Sequence, residues 1–234
     1  MQHVTRLEMI GDIRLGICSD THGRPLPTWD TDSITAILHA GDVYYAPTVI
    51  DDDDDPMPRQ RVTPLPVPVL AVRGNHDYRD PGGFFREADD ISGRLRRLLP
   101  GLWVAGIGFA PSRHYDLPGE SDLEMQCRGL SRQVRREVMP GEKLILLTHY
   151  PPKLPELPCD EVSENWTYRC VAELVDELQP VAVVQGHVHA WFGRQWRRNG
   201  ALIVSPGPGA GVLHVPRDPG SVVMALVAWK SPLL

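Results

Sequence analysis

Asp20, His22, Asp42, Asn75, His149, His187 and His189 offer carboxylate oxygen, amide oxygen and imidazole nitrogen, and each stands just past an apolar run of the chain. Such a mixed oxygen and nitrogen set suits Mn, Fe, Zn, Co or Ni rather than Ca, and the lack of cysteine in it argues against a structural zinc cage. The donors exceed what one ion needs. Two ions bridged by one carboxylate use them all, as in two-metal hydrolases whose ions lie roughly 3.5–4 Å apart. Only Asp20 and Asp42 are anionic, so two divalent ions leave the centre positive, able to acidify water and attract a phosphate oxyanion. His76 and Asp77 complete the turn Gly74-Asn75-His76-Asp77 and add proton chemistry beside the ligands.

The elements that must place these groups are short buried strands. Ile13 to Ser19, Val67 to Val72, Leu102 to Phe109, Lys143 to Thr148 and Val181 to Gln185 are continuous apolar runs, the pattern of strands covered on both faces. All but Leu102 to Phe109 stop at a candidate ligand, where strand-end sites form. In extended backbone Asp20 and His22 point the same way and can converge on one ion. A further short strand runs into Ala40-Gly41-Asp42, and His39 within it reads as core rather than ligand.

Helices are predicted from Thr31 or Asp32 through Leu38, from Ile91 to Leu99, from Ser121 to Val138 with a Ser121-x-x-Glu124 capping box, and over Val171 to Leu178. Asn199-Gly200 between Trp191 to Arg198 and Ala201 to Ser205 predicts a type I′ hairpin, and Val222 to Trp229 a last strand. Strands and helices alternate early and antiparallel strands come late. This predicts an α/β fold with a mixed sheet, or two packed sheets, and helices outside.

At 234 residues the chain is expected to be one domain, residues 1–234, with residues 1–12 a disordered extension and residues 51–68 an acidic and proline-rich loop. A net charge of −6 argues against a nonspecific nucleic-acid surface. No basic-then-apolar leader and no span-length apolar run are visible, which predicts a cytoplasmic protein that makes no membrane contact. Cys18, Cys127, Cys159 and Cys170 form no regular framework and are expected to be free thiols. Arg113 and His114 are candidate phosphate-binding residues, and Tyr44, Tyr45 and Tyr150 either stack on a substrate ring or pack. The basic clusters Arg94 to Arg97, Arg132 to Arg136 and Arg194 to Arg198 read as solvated faces.

In chain order, Asp20-x-His22, Gly41-Asp42, Gly74-Asn75-His76-Asp77, His149 and Gly186-His187-x-His189 resemble the five-block signature of the calcineurin-like metallophosphoesterases, over residues 18–189. The resemblance implies a four-layer α/β/β/α sandwich with two divalent ions at the strand ends, Mn²⁺ first and Fe, Zn, Co, Ni or Mg as alternatives. By motif position Asp20, His22, Asp42 and His189 would hold one ion, and Asp42, Asn75, His149 and His187 the other. His76 resembles the family's non-ligand histidine, the general acid. The implied reaction is in-line attack by a metal-bridging hydroxide on a phosphodiester in a phosphorylated small molecule or nucleotide. A phosphomonoesterase, a Ser/Thr protein phosphatase and a non-catalytic scaffold on the same fold are the alternatives. Many members carry Gly-Asp-x-x-Asp, where this chain has Tyr45, and Asp77 is the expected substitute for orienting His76.

Overall fold

The computed structural model describes residues 12–44, 65–77, 83–108, 119–158, 166–218, 221 and 223–227. Its strands are β1 (Ile13–Cys18), β2 (Ala36–His39), β3 (Val69–Ala71), β4 (Asp89–Asp90), β5 (Leu95–Leu99), β6 (Leu102–Ile107), β7 (Lys143–Thr148), β8 (Ala182–Gln185), β9 (Arg194–Arg198), β10 (Ala201–Ser205), β11 (Gly211–Val215) and β12 (Met224–Val227). The helices are α1 (Phe84–Glu87), α2 (Glu120–Glu137) and α3 (Arg169–Leu178). Two six-stranded mixed sheets result, ordered β12-β11-β1-β2-β3-β4 and β5-β6-β7-β8-β10-β9.

The sheets face one another across a single apolar layer. Leu15, Ile17, Leu38 and Leu70 from the first meet Val104, Ile145, Leu147, Val184 and Val204 from the second. Each such side chain, taken fully out of water, contributes about 1.5–3 kcal/mol before the entropy of ordering is counted. Alternate residues of the second sheet point outward beneath α2 and α3, where Leu123, Cys127, Leu130 and Val134 give α2 its helical stripe. Over the first sheet α1 sets Phe84 and Phe85 beside Val43, Tyr44 and Ala71. This is the expected α/β class of two packed mixed sheets with outer helices.

Three local expectations are corrected. The segment from Thr31 to Leu38 holds only a 3₁₀ turn, Thr31–Ser33, and then enters β2. Leu38 packs between the sheets while Ile37 is buried too, so burial on both faces imitated a helical spacing. Ile91 to Leu99 is likewise no helix. A bulge between Arg97 and Leu99 lets the consecutive residues Leu98 and Leu99 both pack on the inter-sheet layer, which gives a strand an i, i+3, i+4 pattern. At the start of α2 the cap is Gly119, whose N–H donates to the Asp122 carboxylate at 2.9 Å; Glu124 instead pairs with Arg128 one turn on.

β11 has no counterpart among the expected strands. It lies in a glycine- and proline-rich stretch and becomes a strand by pairing antiparallel with β1 and β12. The predicted hairpin joins β9 to β10 through Asn199 and Gly200, both at positive φ as a type I′ turn needs. Residues 1–11 and 51–64 lie outside the described residues, and residues 65–68 lead into β3. Among the described residues no helix is long and apolar enough to cross a membrane.

Candidate metal centre

Parallel pairing aligns β1, β2 and β3 in one sheet and β6, β7, β8 and β10 in the other. All but β6 and β10 deliver candidate ligands past their carboxyl ends, and these ligands meet at one place. Asp20, His22 and His189 form one cluster, and Asp42, His149 and His187 a second. Within each cluster the donor atoms lie within 4.8 Å of one another. Asp42, 2% exposed, stands between the clusters. Its Oδ2 is 3.3 Å from His149 Nε2 and 3.9 Å from His22 Nε2.

Hydrogen bonds made away from the centre fix which imidazole nitrogen faces it. His149 Nδ1–H donates to the Ala40 carbonyl at 2.8 Å, and His22 Nδ1–H to the Tyr44 carbonyl at 3.3 Å. Each turns Nε2 toward the cluster, the arrangement that metal-ligating histidines use. His149 Nε2 lies 3.0 Å from Asn75 Oδ1, which brings the amide oxygen into the second cluster. His187 Nε2 is buried without a hydrogen-bond partner. A buried lone pair with nothing to meet it is costly in a metal-free protein and satisfied by a divalent ion, so the donor set fits one.

The backbone is bent to bring these groups together. Asp20, His22, Asp42 and His187 have φ of 52°, 46°, 54° and 70°, a left-handed conformation costing non-glycine residues of order 1–3 kcal/mol each. Local bonds hold it. Asp20 N–H donates to the Gly41 carbonyl, His22 N–H to the Asp42 carbonyl, and His187 N–H to Asp20 Oδ1 at 3.0 Å. Glycine supplies room where carboxylates approach backbone. A Cβ on Gly74 would stand 2.1 Å from Asp42 Oδ1, and one on Gly186 2.7 Å from Asp20 Oδ2. Gly74→Ala is therefore expected to push Asp42 aside, weakening Mn²⁺ binding at least tenfold with some loss of stability, about 1–3 kcal/mol. Calorimetry of Mn²⁺ binding checks this, and wild-type affinity in the variant contradicts it.

Electrostatics without ions show how strongly these groups couple. Burial opposes charge on His149, yet the Asp42 carboxylate overrides it and pushes the imidazole up to about 9. Burial likewise opposes charge on Asp42, and His149 holds that carboxyl well below its usual range. Burial pushes His187 down to about 3.

His39 is the expected core histidine, fully buried behind the site. Its Nδ1 accepts from Gly41 N–H at 3.2 Å, so its proton sits on Nε2, which meets Thr21 Oγ1 at 3.2 Å. Burial pushes its pKa from 6.5 down to about 4. A depressed pKa means the unfolded chain takes up the proton first. This ring's contribution is intact above about pH 6.5 and lost as pH falls toward about 4. Metal-free protein is expected to lose stability between about pH 7 and about pH 4.5 more steeply than His39→Gln, whose amide does not titrate in that range. Equal slopes in urea unfolding contradict the assignment.

His76 stands at the rim, a quarter exposed, its N–H donating to Asp42 Oδ1 at 2.9 Å and its Nε2 4.0 Å from Asp42 Oδ2. It also clusters with His22 and Asp42, so distance alone does not separate it from the ligands. Asp77 is fully buried and its carboxylate accepts from Tyr44 N–H at 3.0 Å and Gly74 N–H at 2.9 Å. These bonds tie the turn to the strand-end loop after β2. Burial, with Asp42 nearby, pushes Asp77 up to about 8.

Tyr44 and Tyr150 are packing residues, both buried; Tyr45, Arg113 and His114 lie outside the described residues. Two aromatic contacts were not read from the sequence. Phe192 lies tilted on the half-exposed His189 with centroids 4.8 Å apart, and Trp166 meets His187 edge-on at 5.6 Å. Phe192 is three residues past His189, and the 3₁₀ turn His189–Trp191 is what swings it back. Nothing in the local pattern marks Trp166.

The sequence profile of the calcineurin-like phosphoesterase family matches residues 13–191. Solved structures with a similar fold include TT1561 of Thermus thermophilus, 14% identical with a TM-score of 0.55, covering 92% of this chain and 99% of that one. A putative 5′-nucleotidase from Staphylococcus aureus has 10% identity and a TM-score of 0.55, over 96% of this chain and 56% of that one. Phosphopantetheinyl hydrolase from Mycobacterium tuberculosis has 14% identity and a TM-score of 0.51, over 96% and 99% of the two chains. No curated protein matches this sequence.

Proposed function

Because the chain belongs to the calcineurin-like phosphoesterase family, we propose that it is a binuclear metal-dependent phosphoesterase that hydrolyses a phosphodiester in a small molecule or nucleotide. The supporting observation is Asp42 Oδ2 placed between the two donor clusters, within 3.3 Å of His149 Nε2 and 3.9 Å of His22 Nε2. Asp20, His22, Asp42 and His189 would hold one ion, and Asp42, Asn75, His149 and His187 the other. When bound, two divalent ions acidify water and neutralise charge on a phosphoryl group; Mn²⁺ is the proposed pair.

The chain's own groups do the rest. Asp42 fixes the spacing of the two clusters and, through the His76 N–H, the position of the turn that carries His76. The His76 imidazole, reaching solvent on one side and the centre on the other, gives its proton to the departing oxygen. Asp77 acts through the backbone as a positioning residue, holding Gly74 and Tyr44 rather than the imidazole itself. Asp77→Asn is expected to lower turnover roughly tenfold with KM little changed, because an amide cannot accept from both N–H groups. Unchanged turnover contradicts that role.

Hydrolysis of bis-p-nitrophenyl phosphate against p-nitrophenyl phosphate, with Mn²⁺ added to metal-stripped protein, tests the substrate class. Metal-dependent turnover that favours the diester is expected. Preference for the monoester selects a phosphomonoesterase of the kind named among the fold neighbours, and phosphopeptide turnover without either selects a protein phosphatase. No turnover of any of these, with two ions still bound, selects either a narrow natural substrate or the scaffold, and a screen of nucleotides separates the two.

A further inference from the structure

We propose that Arg73, braced by Asp90, is a positioning residue for His76, its guanidinium closing from outside the turn that carries the imidazole. The proposal rests on the reading of His76 as the general acid of a phosphoesterase. Arg73 immediately precedes the turn Gly74-Asn75-His76-Asp77, and its side chain folds back over it. Nη1–H donates to the Asp77 carbonyl at 3.0 Å. Nε–H donates to Asp90 Oδ2 at 2.7 Å, and Cζ lies 4.3 Å from the centre of the Phe85 ring.

The brace is built on the sheet itself. Parallel pairing sets Asp90 of β4 opposite Ala71 of β3, two residues before Arg73. Asp90 Oδ1 accepts from Ser92 N–H at 3.1 Å, and the Ser92 hydroxyl accepts from Arg73 N–H at 3.0 Å, so carboxylate and arginine backbone are locked to one another. Phe85, buried in α1, covers the guanidinium. A planar guanidinium with its donors in fixed directions serves carboxylate, carbonyl and ring at once.

These contacts bear on His76 more than on the ligand beside it. Asn75–Asp77 is a single 3₁₀ turn, too short to hold its own direction. Its start is tied to the centre, with Asn75 Oδ1 3.0 Å from His149 Nε2 and His76 N–H bonded to Asp42. Its end is tied through Asp77, whose carboxylate holds Gly74 and Tyr44 while Arg73 holds the carbonyl of the same residue. With that carbonyl released, the turn can pivot about the Asp42 bond. Asn75 keeps its place and the His76 imidazole loses its aim. A misplacement of about 1 Å at a reacting group is enough to cost roughly 10²-fold.

Arg73→Met in the full chain keeps an unbranched stem against Phe85 and removes the donors. Turnover of an ester with an alkoxide leaving group is expected to fall roughly 10–10²-fold, and that of a nitrophenyl ester less than about threefold, with KM and Mn²⁺ binding unchanged. Arg73→Lys, which keeps the charge without the fork, is expected to lie between wild type and Arg73→Met. Added to His76→Ala, the methionine is expected to change nothing further. Three results overturn the proposal: an equal loss for both leaving groups, an additional loss in the His76→Ala background, or loss of a bound ion. Hydrogen exchange of the peptide holding residues 74–77 reads the clasp without activity. Faster exchange there in Arg73→Met, with the rest of the chain unchanged, is expected, and equal exchange overturns the clasp. An inactive wild type overturns the phosphoesterase reading, while this exchange still decides whether Arg73 holds the turn.

Discussion

Asp42→Asn is expected to abolish metal-dependent phosphoester hydrolysis while leaving the fold intact. Asparagine matches the shape of aspartate, and its amide oxygen can still accept from the His76 N–H that Oδ1 now holds at 2.9 Å. The loss is at the other position. An NH₂ there has no lone pair for an ion, yet Oδ2 is the atom facing both His149 and His22. One negative charge also disappears from a centre whose described carboxylates are Asp20, Asp42 and the more deeply set Asp77. Turnover is expected to fall roughly 10²–10³-fold at the least, the scale of losing a single electrostatic stabiliser. Circular dichroism should be unchanged. Turnover within tenfold of the wild type contradicts the bridging assignment.

His76→Ala is expected to cut turnover roughly 10²–10⁴-fold with both ions retained. The size of the loss should depend on the leaving group. Nitrophenolate departs readily without a proton, so its esters should be least affected, whereas an alkoxide leaving group needs the acid and should show the full loss. That dependence separates an acid from a structural prop. Because His76 also lies in a cluster with His22 and Asp42, the competing outcome is concrete: loss of an ion in the variant makes His76 a ligand.

The strands that carry the site were legible because a strand buried on both faces leaves a continuous apolar run with its chemistry at the end. Where that same burial met short segments it misled. Ile34, Ile37 and Leu38 imitate a helix, and the bulge in β5 makes Leu95, Leu98 and Leu99 do so as well. β11 was invisible because its pairing with β1, distant in sequence, makes it a strand. Within the site, residue types and spacing named the candidate ligands. They could not say that backbone carbonyls of Ala40 and Tyr44 orient two imidazoles, or that four candidate ligands take left-handed backbone. Glycine in Gly41-Asp42, Gly74-Asn75 and Gly186-His187 was part of the motif, but the reason, close approach of carboxylate or imidazole, needs three dimensions. Asp77 accepts from the backbone N–H groups of Tyr44 and Gly74, two partners that the sequence did not name.

The most direct test of the two-ion centre is a titration of metal-stripped protein with Mn²⁺, counting bound ions at equilibrium and measuring diester turnover at each addition. Binding of two ions per chain, with turnover rising as the second site fills and Asp42→Asn binding fewer, is the expected result. Full activity with one ion bound, or two ions bound equally well without the Asp42 carboxylate, contradicts it.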